Sequence, residues 1–397
     1  MRLPRDVEYI IERLESFGHR ADIVGGPVRD FLLGRSPEDY DITTDATPDR
    51  VKAVFSGDRT VDTGIKHGTV SLILRGIFYE ITTYRVDGEY KDSRHPDSVS
   101  FTDKLSDDLA RRDFTMNAVC YNPRDGFTDP YGGRDDISER IIRAVGDPEK
   151  RFSEDALRIL RAIRFASVLG FEIESTTRQA VFDKKDLLTK VSAERIYTEW
   201  KKLLSGKFAY SVIEEFSSVI SVFLPKLSEP NLPSAHLFSE ADYLSRMLSV
   251  FSLTLGDGAP SAYDSAMKTL KTDRAVRETG ISVLSSLKKF DLSTDVGLKC
   301  ALMRLGEDNA RALVRLEYTL GNTEKNTEAR LNSLLSSGTP YRISDLRIGG
   351  TELMRLGIEG KRIGECLTRL LSLVVEDRIL NESEALIAEA QKINRQL

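Results

Sequence analysis

Apolar and polar positions along this chain follow two rhythms, and the change between them divides it. MRLPRDVEYIIERLESFG (1–18) spaces its apolar residues three and four apart, the period of an amphipathic helix. ADIVGG (21–26) then reads as an apolar strand running into a double glycine, PVRDFLLG (27–34) as a short helix opened by proline, and DYDITT (39–44) as a second strand. TPDRVKAVF (47–55) puts threonine at a helix N-cap, proline at the first helical position and apolar residues at helical spacing. In TVSLILRGIFYEITTYR (69–85) two β-rich runs flank Arg75-Gly76 as a hairpin. Alternation in its second arm sets Phe78, Glu80 and Thr82 on one face. Residues 1–150 are thus expected to form a small α/β domain with a mixed sheet.

From about residue 153 the period is helical. SEDALRILRAIRFASVLG (153–170) reads as one helix with Ser153 as N-cap, an acidic first turn, and Leu157, Ile159, Leu160 and Ile163 on its buried side. Residues 227–236 and 256–262 read as loops, and 321–345 as a polar helix followed by a linker near 335–345. No internal repeat or low-complexity tract is visible. The expected fold class is α+β, an α/β head followed by helical domains.

Composition sets bounds on this picture. The length of 397 residues suggests two to four domains. Hydrophobic content of 40% and charged content of 30% are those of an ordinary soluble protein. No apolar run approaches the roughly 20 residues that span a bilayer, and acidic residues interrupt the N-terminal helix, so no signal peptide is expected. Cys120, Cys300 and Cys366 form neither a disulfide framework nor a zinc pattern, which fits reduced thiols in a cytoplasm. A net charge of −5 argues against an indiscriminate nucleic-acid binder but leaves room for phosphate contacts concentrated on one face. The four histidines, His19, His67, His95 and His236, exclude a histidine-rich metal site in the second half.

Several constellations could carry chemistry. A strand followed by Gly25-Gly26 and a helix start suits a phosphate cradle, with Arg29 one turn in; it suits a plain turn as well. Asp39 and Asp41, at a strand's period, would share a face with Cα atoms roughly 6.6 Å apart. Two carboxylates so placed repel unless a cation lies between them, and Mg²⁺ binds one or two carboxylates together with substrate phosphates. The other reading is the polar face of an edge strand. Glu80 is a candidate third carboxylate or a solvated strand charge. Arg111, Arg112 and Asp113 stand together in DDLARRDFTMNAV (107–119), as a triphosphate clamp or a surface helix end. Asp155, Arg158, Arg161 and Arg164 repeat every three residues, a row that drifts about 60° per step. Asp155 and Arg158 are neighbours while Arg164 faces nearly the other way, and an i,i+3 ion-pair ladder on a solvated face is the competing account.

Taken in order, GGPVRDFLLG, DYD, RRDFTMNAV, RFSEDALRILRAIRFA and VSAERIYTEW closely resemble the bacterial CCA-adding enzymes, class II tRNA nucleotidyltransferases of the poly(A) polymerase-like family. The resemblance covers roughly residues 20–205, with a weaker likeness of ISDLRIGGTELMRLGIEGKRIGE to the start of the family's tail. It implies a nucleotidyltransferase-type catalytic head (1–150), a neck that recognises the base (151–205), a helical body (206–335) and a tail that binds tRNA (336–397). It implies Mg²⁺ held by Asp39 and Asp41, with Glu80 as the third catalytic carboxylate. Nucleotide contacts carry over to Gly26, Arg29, Arg112, Asp155, Arg158, Arg161 and Arg164.

Cytosine and adenine each offer an exocyclic amino donor beside a ring-nitrogen acceptor. An aspartate and an arginine side by side match that pattern and leave buried charge unpaired against uracil or guanine. Arg161 and Arg164 would suit phosphates or hold the pocket together. The implied activity is template-independent addition of C, C and A to the tRNA 3′ end from CTP and ATP, with release of pyrophosphate. A-adding and CC-adding enzymes, a poly(A) polymerase, and a catalytically silent RNA-binding protein are the alternatives. YRVDGEYKDSRHPDSVSF (84–101) resembles the family's flexible loop, with His95 where relatives often carry arginine; its full length favours terminal adenosine addition. Contacts to the tRNA elbow would come from residues such as Lys201, Lys202, Lys361 and Arg362. The oligomeric state is not legible.

Overall fold

Val7, Ile10, Ile11 and Leu14 lie on one side of the first helix, and that stripe is where the core of the head begins. The computed structural model describes residues 1–65, 68–88 and 99–395. It falls into two compact units, Met1–Pro225 and Lys226–Leu397. The first unit opens with α1 (Arg5–Ser16), β1 (Ala21–Val24), α2 (Gly26–Leu32), β2 (Asp41–Thr44) and α3 (Pro48–Val54). Strands β3 (Arg59–Gly64), β4 (Thr69–Leu74) and β5 (Ile77–Thr83) follow, then the small pair β6 (Arg85–Asp87) and β7 (Val99–Phe101). Next come α4 (Leu105–Ala110), β8 (Cys120–Asn122), β9 (Gly126–Thr128), α5 (Gly133–Glu139) and β10 (Ile141–Ile142). The unit continues through α6 (Pro148–Glu154), α7 (Leu157–Leu169), β11 (Glu172–Ile173), α8 (Ser175–Asp183), α9 (Ala193–Ser205), α10 (Ala209–Glu215) and α11 (Ser217–Ile220).

Seven strands form one mixed sheet in the order β3-β4-β5-β2-β1-β8-β9. Only β2 and β5 run parallel; every other pair in it is antiparallel. Alternation sorts the two faces. Ile23, Ile42, Val70, Leu72 and Ile81 join the stripe of α1 and Val51, Val54 and Phe55 in one buried cluster. Their strand neighbours Asp41, Thr43 and Glu80 therefore belong to the opposite face. The hairpin turn takes Arg75 (φ 51°) and Gly76 (φ 82°) into the left-handed region, as a two-residue primed turn requires.

Several expectations need correction. Asp39 lies in a bend before β2, outside the strand that begins at Asp41, so the two aspartates do not form a strand pair on one face. The helix expected over 153–170 is two helices, interrupted at Asp155 (φ −133°, ψ 101°). Ser153 is not an N-cap: it lies in the last turn of α6, which Asp147 caps by accepting from Glu149 N, and its hydroxyl donates to the Glu149 carbonyl. Residues 256–262 are not a loop throughout, because a helix with proline in its first turn starts at Ala259. Strands β3, β8 and β9 and the short β10–β11 pair were not anticipated, being short or lacking clear alternation.

Helix α7 packs against α9 and α10. Gly206 is what permits this approach, since a Cβ there would lie 2.1 Å from Ser167 Oγ. The first unit thus runs on to Pro225, past the expected neck boundary at 205. The second unit is built from helices, the last three spanning Gly350–Arg355, Lys361–Val375 and Ser383–Asn394. Leu353, Cys366, Leu370, Val375, Leu386 and Ile393 make their common core. Between Ser336 and Gly350 the backbone is non-helical except for the 3₁₀ turn Ile343–Asp345, where the linker was expected. Among the described residues no helix is long and apolar enough to cross a membrane.

Candidate active site

The glycine turn is a backbone requirement. Gly25, at φ 79° and ψ −128°, links β1 to α2 in a conformation that side chains resist, and a Cβ there would come within 3.3 Å of Arg112 Nη1. The turn and Arg112 are therefore in contact, although 87 residues separate them. Gly26 begins α2, and Arg29, one turn in, points its guanidinium at protein partners: Nη1 donates to Asn117 Oδ1 at 2.9 Å, and Nε and Nη2 donate to Asp30 Oδ1 at 3.0 and 2.8 Å.

On the face of the sheet away from the α1 core, the parallel register sets Asp41 level with Glu80. Burial raises the Asp41 carboxyl above its ordinary range, Arg112 opposes the rise and Asp39 adds to it. Burial raises Glu80 as well, and Asp41 and Asp39 push it further. The exposed bend thus still brings Asp39 into electrostatic reach of both strand carboxylates. Asp41 and Glu80, each raised further by a neighbouring carboxylate, form a site that a cation would stabilise. Among the described residues no group of three His, Cys, Asp or Glu is drawn together into a finished metal cage, so the set is an open carboxylate patch.

Arg112 is anchored by a residue the sequence reading did not single out. Buried Asp108 accepts from Arg112 Nη2 at 3.1 Å and from Arg111 Nε and Nη2 at 2.9 and 2.7 Å, and Thr43 of β2 contacts it at 3.5 Å. Burial would raise the Asp108 carboxyl, but the two arginines outweigh it and hold it below the carboxylate range. Arg112 Nε is buried and has no hydrogen-bond partner among the described residues.

The neck residues are paired, but not as a solvated ladder. At the break between α6 and α7, Asp155 accepts from Leu157 N at 3.1 Å and from Arg195 Nη2 of α9 at 2.8 Å. Arg158 Nη1 donates to the Arg151 carbonyl and to Glu154 Oε2, and its Nη2 donates to the Arg111 carbonyl at 2.7 Å. Its Nε–H and one Nη2–H remain without a partner among the described residues. Arg161 donates twice to Asp113 Oδ2, at 2.8 and 2.6 Å, and Arg164 donates to Glu199 Oε2 at 2.9 Å. Burial would push the Asp113 carboxyl up, yet Arg161 and Asn117 hold it well below its usual range. Arg29, Arg161 and Arg164 also surround the Phe165 ring, at 5.1, 5.4 and 3.5 Å from its centroid. Both Arg161 and Arg164 thus have protein carboxylates as partners.

Asp108, Asn117, Glu154, Arg195 and Glu199 are the unassigned members of this network. All lie in or beside the motifs quoted above, yet their spacing in sequence carries no sign of their partners. The full-length loop 84–101, with His95, lies largely outside the described residues.

Comparison with known proteins places this geometry. The family model described as "Poly A polymerase head domain" matches residues 21–143, "Probable RNA and SrmB- binding site of polymerase A" matches 170–225, and "tRNA nucleotidyltransferase domain 2" matches 245–390. A CCA-adding enzyme of Pediococcus pentosaceus is 35% identical over 403 aligned residues, covering 98% of this chain and 98% of its own. One from Geobacillus thermodenitrificans is 47% identical over 221 residues, covering 55% of this chain and 54% of that relative. A solved CCA-adding enzyme of Bacillus stearothermophilus in complex with CTP superposes with a TM-score of 0.84 at 30% identity, covering 100% of this chain and 99% of that one. With the mixed sheet, the carboxylate patch and the glycine turn, these matches show that the chain belongs to the CCA-adding enzymes, a family of tRNA nucleotidyltransferases.

Proposed function

We propose that this protein adds C, C and A to the 3′ end of tRNA from CTP and ATP, releasing pyrophosphate, with Asp39, Asp41 and Glu80 at the reacting centre. The observation that carries this reading is the carboxylate patch, in which the parallel register sets Asp41 level with Glu80, Asp39 raises the proton affinity of both, Asp41 raises that of Glu80, and Arg112 opposes the rise at Asp41. Nucleotidyltransferases of this family use a divalent metal. Mg²⁺ suits hard carboxylate oxygens, and Asp39 and Asp41 would hold it; when bound, it neutralises triphosphate charge and favours the ionised form of the attacking 3′-hydroxyl.

The chain's own groups supply the rest. The backbone at Gly25-Gly26 lets a triphosphate approach closely, and Arg112, with its buried and unpartnered Nε–H, faces the same space. Base choice falls to Asp155 and Arg158. Each Asp155 oxygen has one protein donor and keeps a lone pair for an exocyclic amino group. Arg158, fixed by Glu154 and two carbonyls, keeps N–H groups for a ring-nitrogen or carbonyl acceptor. Uracil and guanine would set a carbonyl oxygen against the Asp155 carboxylate and a ring N–H against the Arg158 guanidinium. Arg29, Arg161 and Arg164 hold these groups in place. The resemblance places the expected boundaries of head, neck, body and tail at 150, 205 and 335, with tRNA-elbow contacts in the body and tail; this layout remains part of the proposal, as does action in the cytoplasm.

The test uses tRNA transcripts lacking the last three nucleotides or only the final adenosine, with CTP and ATP alone and together. Addition of three nucleotides to the first and one to the second is expected. Single-adenosine addition confined to the second would establish an A-adding enzyme, and long tails on unrelated RNA a poly(A) polymerase.

A further inference from the structure

The arginines around the carboxylate site each have a protein carboxylate partner, but three others in the same unit have none among the described residues. Arg35, Arg134 and Arg140 line a groove of about 960 Å³ at the far end of α2 from the glycine turn, between that helix, β9, α5 and Phe171. All three are exposed, and none has a carboxylate partner within ion-pairing distance among the described residues. Of the two groove aspartates, Asp129 is consumed as a cap, accepting from Gly133 N and Arg134 N at 2.8 Å each. The other, Asp135, is exposed, so the lining sets three arginines against two aspartates and keeps a net positive charge in a chain whose net charge is −5.

Two of these arginines lie over aromatic faces: Arg134 is 5.0 Å from the centroid of Phe127, and Arg140 is 5.9 Å from that of Phe171. A guanidinium supported on a ring keeps its edge N–H groups free in a fixed plane, the presentation that matches phosphate oxygens. Arg140 moreover ends α5 at φ 61°, a position where glycine is comfortable and a long side chain is not.

Building on the proposed function, we infer that this groove is an RNA-backbone site, separate from the carboxylate patch, that takes phosphates of the tRNA substrate through Arg35, Arg134 and Arg140. α2 has seven residues, so the groove lies about 10 Å along its axis from Gly26.

The test compares wild type with Arg35→Gln/Arg134→Gln/Arg140→Gly, measuring tRNA affinity from 50 to 200 mM KCl. Three lost phosphate contacts reduce the slope of log K against log salt by about 2 to 3. Over that fourfold rise in salt the wild-type affinity then falls at least ~16-fold more than the variant's. At 100 mM KCl the KM for tRNA rises, while turnover at saturating tRNA and the KM for CTP stay as in wild type. Arg140→Gly alone removes a charge and relieves the left-handed backbone, so its thermal midpoint equals or exceeds wild type while its slope falls by about 0.7 to 0.9. An unchanged slope and unchanged KM for tRNA in a wild-type-like folded triple variant would overturn the groove. Failure of the wild-type enzyme to extend tRNA at all would overturn the functional reading instead.

Discussion

Asp113, in the turn after α4, ties that turn to Arg161 of α7. It is buried and accepts four hydrogen bonds: from Phe114 N at 2.9 Å, Asn117 Nδ2 at 3.0 Å and Arg161 Nε and Nη2 at 2.8 and 2.6 Å. Asp113→Asn keeps the shape and removes the charge. If its oxygen faces Arg161, its new NH₂ meets the Phe114 N–H and the Asn117 NH₂, donor against donor. If it is flipped, that NH₂ meets the Arg161 guanidinium. Either way a buried donor is orphaned beside a guanidinium whose remaining carboxylate neighbour, Glu199, is 4.0 Å away and shared with Arg164, which costs about 3–5 kcal/mol. For a unit of 225 residues that lowers the thermal midpoint by about 6–20 °C.

The chain supplies its own probe, because its one tryptophan, Trp200, is buried in α9 and so reports on this unit. The decisive measurement is the cycle with Arg161→Gln. Removing both charges leaves two amides that can pair, so the double variant recovers about 1–3 kcal/mol relative to the sum of the single losses. A loss below about 1 kcal/mol in Asp113→Asn, or strict additivity in the cycle, would refute the pairing argument.

Two further outcomes follow from the site. Asp41→Asn abolishes nucleotide incorporation yet stabilises the fold: the Asp41 carboxyl is raised in the folded state, so its charge destabilises once pH exceeds the unfolded carboxylate range. Solvent screening at the exposed Asp41 keeps the gain small; it should appear at pH 7 and vanish near pH 3, as read by thermal melts at both pH values. Gly25→Ala forces a side chain into φ 79° and against Arg112, costing about 1–3 kcal/mol. Steady-state kinetics should show the KM for CTP and ATP rising about tenfold, from a displaced Arg112.

How much of this was legible in the sequence depends on how local each signal is. The strand before Gly25, α2 and the β4–β5 hairpin follow from apolar period and turn residues within a dozen positions. The break at Asp155 does not, because 153–170 keeps helical apolar spacing through it, while Asp155 there bonds to Arg195 of α9, a partner that only the fold brings near. The same holds for Asp39, whose spacing from Asp41 suggested a shared strand face, while strand pairing starts only at Asp41. Asp108, Asn117, Glu154 and Glu199 look like ordinary surface polar residues until the fold delivers arginines to them.

The single parallel step in the sheet bears on how activity arises as the chain folds. Asp41 and Glu80 are 39 positions apart and meet only when β5 has crossed to lie beside β2. Such a parallel pairing depends on closing a long loop and on the α1–α3 core that holds both strands, so it belongs to the late events of folding. A head that has formed its helices and its β4–β5 hairpin alone holds Glu80 without Asp41. Metal-dependent turnover therefore returns on refolding together with the finished core and not ahead of it, and a half-folded chain is chemically silent towards the cell's nucleotides.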